Sequence, residues 1–452
     1  MQTTERFARI AALKPTRQRV ALETPPVRSE DGDRLAQLVG GTVERNRYGQ
    51  HLLVRRWYAQ PEACEASPDA LKLLLSPAHG RARTASGSSW PPTAIADTAQ
   101  WLFLDTETTG LAGGTGTYAF LVGVAWWDSG GLQVEQFFMR DYDEEHAVLE
   151  ALNQRMAARR VLVTFNGKAF DWPLLEARYT MTRAIRPRVP AAHLDLLHPA
   201  RQLWRLRLGS VRLAELEKHV LGGDRLAWSR QRDIESWLIP QIYFDYLRGV
   251  GSHLDLAGVF QHNQMDLRGL AALTGRVMGL LNDSSAFPCD ALELFGLSRM
   301  QQRRGQEARA QRLYERAIHA GLPRQLDASA RRQLAILARR QGDYDHAARL
   351  WQQLLEAGET SPQDLRGLTK AGFSGIQRIE AYEQLAIHFE HRVRKPRRAI
   401  EYTRAARLEL RRALRLGLVE LARGRKLLAQ VEHRLARLER KGGQIGRLLE
   451  RP

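Results

Sequence analysis

The sequence predicts an α/β domain with a mixed central sheet flanked by helices, followed by an all-α region of repeated helical pairs. Three observations carry this reading. Apolar runs of strand length alternate with helix-length segments between residues 101 and 281. From about residue 291 the apolar spacing is helical throughout. Within that second region, 298–318 and 334–355 align on Gly305 and Gly342 at an offset of 37 residues.

A chain of 452 residues exceeds one compact core. Four parts are expected: 1–98, an N-terminal accessory segment and linker; 99–283, the α/β domain; 284–406, the helical repeats; and 407–452, a basic C-terminal helix or tail. In the first part, VERNRYGQHLLVRRWY (43–58) reads as a hairpin turning at Tyr48-Gly49, and Ser/Gly-rich RARTASGSSWPPT closes the segment as a linker. The α/β block opens with WLFLD (101–105) and continues with AFLVGVAWW (119–127), LQVEQFFMR (132–140), VLVTF (161–165) and a short AHLDLL (192–197), all read as strands. Helices are expected over 143–158, 170–179, 211–221, 237–248 and 256–281; Pro173 is tolerated in the first turn of the second. Glycine-rich LAGGTGTY (111–118) lacks the Gly-Lys-Ser/Thr ending of a phosphate-cradling loop and reads as a close turn.

Each helical unit reads helix, short glycine-containing turn, helix. EAYEQLAIHFEHRVRKPRRAIEYTRAA (380–406) is a third copy with a basic turn in place of the glycine. The offset is near the tetratricopeptide period of about 34 residues. Such units bury their faces by stacking and serve as surfaces for a protein partner.

Composition narrows the setting. No run of eighteen apolar residues is present, so no membrane span is expected. The N-terminal MQTTERFARIAALKP lacks a secretory hydrophobic region, and Cys64 and Cys289 alone make neither a disulfide framework nor a zinc knuckle. The expected location is the cytoplasm. The net charge of +18 is concentrated: residues 391–452 hold 19 Lys/Arg against 6 Asp/Glu. Such a block attracts polyanions, nucleic acid first, unless it is simply a solvated arginine-rich helix face.

The chemistry starts at WLFLDTETTG (101–110). In a strand, residues two apart share a face, so Asp105 and Glu107 project together. Adjacent carboxylates repel and resist burial, and a divalent cation is the usual compensation. An acidic strand end facing water is the plainer alternative. Two later stretches bear on the choice: TFNGKAFDWPLL (164–175) with Asp171, and HNQMDLRGLAAL (262–273) with Asp266.

Taken in this order, the three stretches resemble the DEDD-type 3′–5′ exonucleases of the ribonuclease H-like superfamily, over residues 99–283. The second, with Asn-Gly ahead of Phe-Asp-x-Pro, looks most like the proofreading domains of family B polymerases; polymerase palm motifs are not evident. With the tetratricopeptide-like C-terminus, the chain resembles a bacterial group of ribonuclease H-like domain proteins. The resemblance implies a metal-dependent nuclease acting on DNA or RNA. It implies a two-metal mechanism with Mg²⁺ or Mn²⁺ ions about 4 Å apart. Asp105 would bridge both ions, with Glu107 and Asp171 completing one shell and Asp266 the other. The family places a His five residues before the last Asp in one subclass, and a Tyr four before it in the other. Here His262 stands four before Asp266, one helical turn away, and is expected to act as the base that takes the proton from water.

Asn166, Thr108 and Leu111 are expected to contact substrate. Lys168 either touches phosphate or is a solvated loop lysine. Asp195 reads as a structural acid rather than a metal neighbour. Two other classes stay open: a structure-selective endonuclease on the same scaffold, and an inactive platform whose helical repeats make it an interaction protein.

Overall fold

A computed structural model describes residues 29–59, 66–75, 95–110, 116–223, 230, 233–282, 288–356 and 374–449. Its strands are β1 (Gly41–Asn46), β2 (Gly49–Tyr58), β3 (Trp101–Thr108), β4 (Ala119–Asp128), β5 (Gly131–Phe138), β6 (Val161–Thr164) and β7 (Ala192–Asp195). Among the described residues they form one mixed seven-stranded sheet of order β1-β2-β5-β4-β3-β6-β7. β3 lies inside it, antiparallel to β4 and parallel to β6. β7 continues the parallel side, and β5, β2 and β1 continue the antiparallel side. The first four residues of β3 are at most 1 % exposed. A strand covered on both faces reads as an unbroken apolar run, which is why WLFL does not alternate.

Helices cover both faces. α1 (Ser29–Val39) and α2 (Pro68–Leu75) precede β3; α3 (Glu145–Ala158) and α4 (Asp171–Thr182) flank β6 in sequence. After β7 come α5 (Leu197–Leu208), α6 (Leu213–His219), α7 (Ile239–Leu247) and the long α8 (His253–Asn282). Leu102, Leu104, Val122 and Val124 pack with α3 and α4 through Leu149, Leu152 and Leu175. On the other face Trp101, Phe103 and Val163 join Leu203 of α5 and Leu267 and Leu270 of α8.

The helical pairs follow: α9 (Ala291–Arg303) with α10 (Glu307–His319), α11 (Arg324–Arg340) with α12 (Tyr344–Glu356), and α13 (Ser374–His391) with α14 (Pro396–Arg415). The turns sit at Gly305 and Gly342, both at positive φ, and the third places Arg394 at φ +56° where the others use glycine. α15 (Leu421–Leu449) packs on α14. The apolar core of the sheet runs on without a break into Leu294, Tyr314, Leu334, Trp351 and Leu385. No helix among the described residues is long and apolar enough to cross a membrane.

Three expectations need correction. The hairpin turns at Arg47-Tyr48, because Asn46 pairs with Gly49 and its side-chain oxygen accepts the Tyr48 amide at 3.0 Å. That hairpin is not an accessory piece: β2 pairs with β5 from Leu52–Phe138 to Tyr58–Leu132 and covers what would be an open strand edge. Finally, the strand expected over 192–197 ends at Asp195, and α5 starts at Leu197. Pro199, in the first turn of α5, lacks an amide that the helix would not use there, so it disguises a helix start as a break.

Candidate active site

The apolar run of β3 ends in Asp105 and Glu107, paired with Gly123 and Leu121 of β4 on one face. A bulge between Glu107 and Thr108 ends the regular register. Asp171 is the first residue of α4, and its Oδ1 accepts the Thr106 hydroxyl at 2.5 Å. Asp266 lies on α8, one turn after His262. The carboxyl groups are close enough to perturb each other. Burial raises the Asp105 pKa well above the usual carboxylate range, and the charges of Asp266 and Asp171 raise it further. Glu107 is raised well above its ordinary value by burial, then by Asp105, Asp266, Asp171 and Asp233. Asp171 is raised by burial against the opposing hydrogen bond from Thr106.

The imidazole of His262 faces this group. Its Nε2 is 3.6 Å from Asp266 Oδ2 and 4.0 Å from Glu107 Oε1, and its Nδ1 is 2.7 Å from Asp233 Oδ1. Burial opposes the charged ring, but the hydrogen bond to Asp233 and the charges of Asp266 and Asp233 outweigh it and raise the His262 pKa. Asp233 moves the other way: burial would raise it, and its bonds to His262 and Arg230 hold it down.

Asn263 sets the floor of the site. Its amide nitrogen donates to Asp105 Oδ2 at 2.7 Å, and its oxygen accepts from Gln136 of β5 at 2.8 Å. A Cβ at residue 123 would lie 2.1 Å from Asn263 Oδ1, so only glycine lets this side chain settle on β4.

Arg230 closes one side. Its guanidinium donates to Glu217 at 2.6 and 2.7 Å, to Asp233 at 2.8 Å, and to Asp266. Burial alone would lower its pKa; the Glu217 bonds and the surrounding carboxylates outweigh that and push it up. Glu217 reaches this position because Gly269 of α8 has no side chain: a Cβ there would stand 2.0 Å from Glu217 Oε1.

The remaining expected contacts divide. Asp195 is a structural acid, as read: it accepts the amides of Asn166 (2.8 Å), Lys168 (3.1 Å) and Leu197 (3.0 Å), and so pins the loop that leads into Asp171. Asn166 adopts φ +71°, a left-handed conformation that asparagine tolerates, which gives it a backbone reason to be there. Lys168 is exposed on the same loop. The Thr108 hydroxyl donates to Gly110 O at 2.9 Å. Leu111 lies outside the described residues. Glu217, Arg230, Asp233, Asn263 and Gln136 were not singled out from the sequence. Only Asn263, inside the HNQMD stretch, stood near a recognised signal.

The sequence pattern of the RNase H superfamily matches residues 102–278. A curated relative, the "Uncharacterized protein YprB" of Bacillus subtilis (strain 168), is 31 % identical over 300 residues, 66 % of this chain and 67 % of that protein. Residues 102–278 form a domain of the RNase H superfamily. The superfamily match takes in the positions of Asp105, Glu107, Asp171, His262 and Asp266, with Arg230, Asp233 and Asn263 among them. The hairpin β1–β2 and the helices from α9 onward lie outside it.

Members of this superfamily commonly use divalent cations, and the donor set here is chemically suited to them. Hard carboxylate oxygens are what Mg²⁺ and Mn²⁺ prefer, and the mutual repulsion of Asp105, Glu107 and Asp171 is what a cation relieves. The side chains are not arranged as a finished cage: among the described residues, no group of three or more His, Cys, Asp or Glu is set to hold a metal ion. Arg230 occupies Asp266 instead.

Proposed function

We propose that the chain is a metal-dependent nuclease that hydrolyses phosphodiester bonds of DNA or RNA, as a 3′–5′ exonuclease. The observation that carries the reading is the crowding of Asp105, Glu107, Asp171 and Asp266, drawn from β3, α4 and α8, into one mutually repelling group beside His262. Asp105, Glu107, Asp171 and Asp266 would hold two Mg²⁺ or Mn²⁺ ions. When bound, such ions supply positive charge to the attacking and leaving oxygens.

The chain's own residues do the rest. Asn263 fixes the Asp105 carboxylate by a hydrogen bond. Asp233 accepts the Nδ1 proton of His262 and turns Nε2 toward Glu107 and Asp266; these carboxylates favour the charged ring, and in the neutral form, populated above the raised pKa, Nε2 is an acceptor. In that tautomer Nε2 takes the proton of the attacking water. Thr108, Leu111, Asn166 and Lys168 would contact the substrate. The arginines of α14 and α15 add sequence-independent attraction for phosphates. The paired helices α9 to α14 act as a tetratricopeptide-like surface for a protein partner.

A second reading, an inactive platform, draws on the Arg230–Asp266 pair, which competes with any cation for Asp266. One assay separates the readings. End-labelled single-stranded DNA and RNA are incubated with the full chain and Mn²⁺ or Mg²⁺, beside Asp105→Asn. Stepwise loss from the 3′ end, absent in Asp105→Asn, is the expected result. Internal cuts would make it an endonuclease, and no metal-dependent cleavage would favour the platform. Turnover by His262→Ala that matches wild type at every pH would remove the base from the scheme.

A further inference from the structure

Arg230 stands between two unlike carboxylates. Glu217 of α6, with a side chain 4 % exposed, takes one edge of the guanidinium: Nε donates to its Oε2 at 2.6 Å and Nη2 to its Oε1 at 2.7 Å. Asp266 of α8, with a side chain 21 % exposed, also accepts from Nη2. Nη1 donates to Asp233 Oδ2 at 2.8 Å. The positive charge reaches further, to Asp105, whose pKa burial raises and this guanidinium helps to hold down.

The two carboxylates differ in how readily they can change partner. Gly269, one turn after Asp266 on α8, lets Glu217 lie close against that helix; a Cβ there would stand 2.0 Å from Glu217 Oε1. Swinging Arg230 out of the site would strand Glu217 as a buried, unpaired charge, which is strongly unfavourable. Glu217 therefore keeps Arg230 in place. Asp266 is partly open to water, and a divalent cation can take over its charge. Cation and guanidinium would then repel each other across a short gap. The Nη2 donor released from Asp266 would also need a new acceptor. The neighbouring carboxylates are the expected ion ligands, so the acceptor has to be an anion that enters from outside. A phosphodiester fits: its nonbridging oxygens accept charge-assisted hydrogen bonds from a guanidinium edge.

We propose that Arg230 exchanges Asp266 for a phosphate oxygen of the nucleic-acid strand, while Glu217 and Asp233 hold it in place. The proposal rests on the nuclease reading above and adds Arg230 to the residues that touch substrate. It also couples the two ligands. Before either binds, Arg230 competes with cations for Asp266, and Asp266 competes with the strand for Arg230. Each ligand removes the other's competitor, so strand and cation strengthen each other's binding by the same factor.

Mn²⁺ binding to the full chain, followed by loss of the free-ion electron paramagnetic resonance signal, tests this with and without a single-stranded oligonucleotide. The oligonucleotide carries phosphorothioate linkages at its 3′ end to slow cleavage and is used as DNA and as RNA. Strand affinity is measured in parallel by fluorescence anisotropy, in EDTA and in Mn²⁺. In wild type the strand should tighten Mn²⁺ binding by about ten-fold or more. Arg230→Met should bind Mn²⁺ alone about three-fold or more tighter than wild type, bind the strand in Mn²⁺ about ten-fold weaker, and show a coupling about ten-fold smaller. A variant that merely unfolds loses both affinities, so changes of opposite sign identify the exchange. Glu217→Gln/Arg230→Met, which leaves Glu217 no charge to balance, repeats the comparison should Arg230→Met fail to fold. Equal coupling in wild type and variant overturns the exchange. So does a higher kcat/KM for the variant at saturating Mn²⁺, which would make Arg230 an inhibitory latch. A wild type that cleaves with Mn²⁺ in either of these cases leaves the nuclease reading standing; one that neither binds Mn²⁺ nor cleaves with it refutes that reading and the exchange with it.

Discussion

Replacing Arg230 by methionine keeps an unbranched apolar stem and removes the guanidinium and its charge. The wild-type guanidinium serves Glu217, Asp233 and Asp266 at once. Glu217 dominates the expected cost, because its side chain is 4 % exposed and loses two charge-assisted hydrogen bonds. Truncating one partner of a buried ion pair costs roughly 3–5 kcal/mol. Asp233 and Asp266, with side chains 15 % and 21 % exposed, are reached by water and add little. At roughly 2–4 °C per kcal/mol for a domain of 150–250 residues, Tm should fall by about 6–20 °C. Differential scanning calorimetry without divalent ions measures it, and Glu217→Gln/Arg230→Met should recover part of the loss by removing the buried negative charge that Arg230 balances. Mn²⁺ supplies a second readout: with Asp266 no longer held by a guanidinium, the variant should gain more Tm from the ion than wild type does. A Tm within about 2 °C of wild type, which is less than 1 kcal/mol on that scale, would refute the claim that Arg230 holds these carboxylates together. An equal Mn²⁺ response would refute the competition.

Two further outcomes are expected. Gly123→Ala places a Cβ 2.1 Å from Asn263 Oδ1; overpacking should cost about 1–3 kcal/mol and displace Asn263 from Asp105, so urea midpoint and metal-dependent cleavage should fall together. His193, hydrogen-bonded to the Thr164 hydroxyl at 2.8 Å, has its pKa lowered to about 4, chiefly by burial and then by Lys168. The unfolded chain therefore binds the extra proton first: the contribution is whole above about pH 6.5 and is lost as pH falls toward 4. It amounts to at most about 3 kcal/mol. Urea midpoints of wild type and His193→Gln should converge on acidification, and a constant gap from pH 7 to pH 4.5 would disprove the assignment.

The parts of the site written in local pattern were legible, and those made by long-range packing were not. β3 could be read because a strand covered on both faces shows as WLFL and then breaks into acids. His262 and Asp266 could be placed together because one helical turn separates them. Arg230 and Asp233 carry no such signature; they become informative only when α6 and α8 bring Glu217 and Asp266 to either side. The hairpin was visible as a hairpin, but its pairing with β5 joins residues about eighty apart in sequence, such as Leu52 and Phe138. No periodicity within the hairpin encodes that partner.

That pairing also ties the hairpin to the carboxylates. The Tyr58 hydroxyl, at the end of β2, donates to Gln264 Oε1 at 2.8 Å; Gln264 Nε2 donates to Gln136 Oε1 at 2.7 Å. Gln136 Nε2 donates to Asn263 Oδ1 at 2.8 Å, and Asn263 Nδ2 donates to Asp105 Oδ2 at 2.7 Å. Each amide passes its donor end toward Asp105. With Asp105 Oδ2 accepting from the Asn263 amide, the Asn263 oxygen is left to accept from Gln136, the Gln136 oxygen from Gln264, and the Gln264 oxygen from the Tyr58 hydroxyl, which closes the chain. Tyr58→Phe removes that last donor and should cost about 1 kcal/mol. If the four bonds act as one unit, Tyr58→Phe and Asn263→Ala will be coupled by roughly 0.5–3 kcal/mol although the residues sit at opposite ends; independent sites add to within about 0.5 kcal/mol. The cycle is read twice, in urea stability and in the Tm gain from Mn²⁺, because the second depends on how Asp105 is held. Additivity in both would mean that the hairpin merely caps the sheet edge and has no part in setting the Asp105 carboxylate.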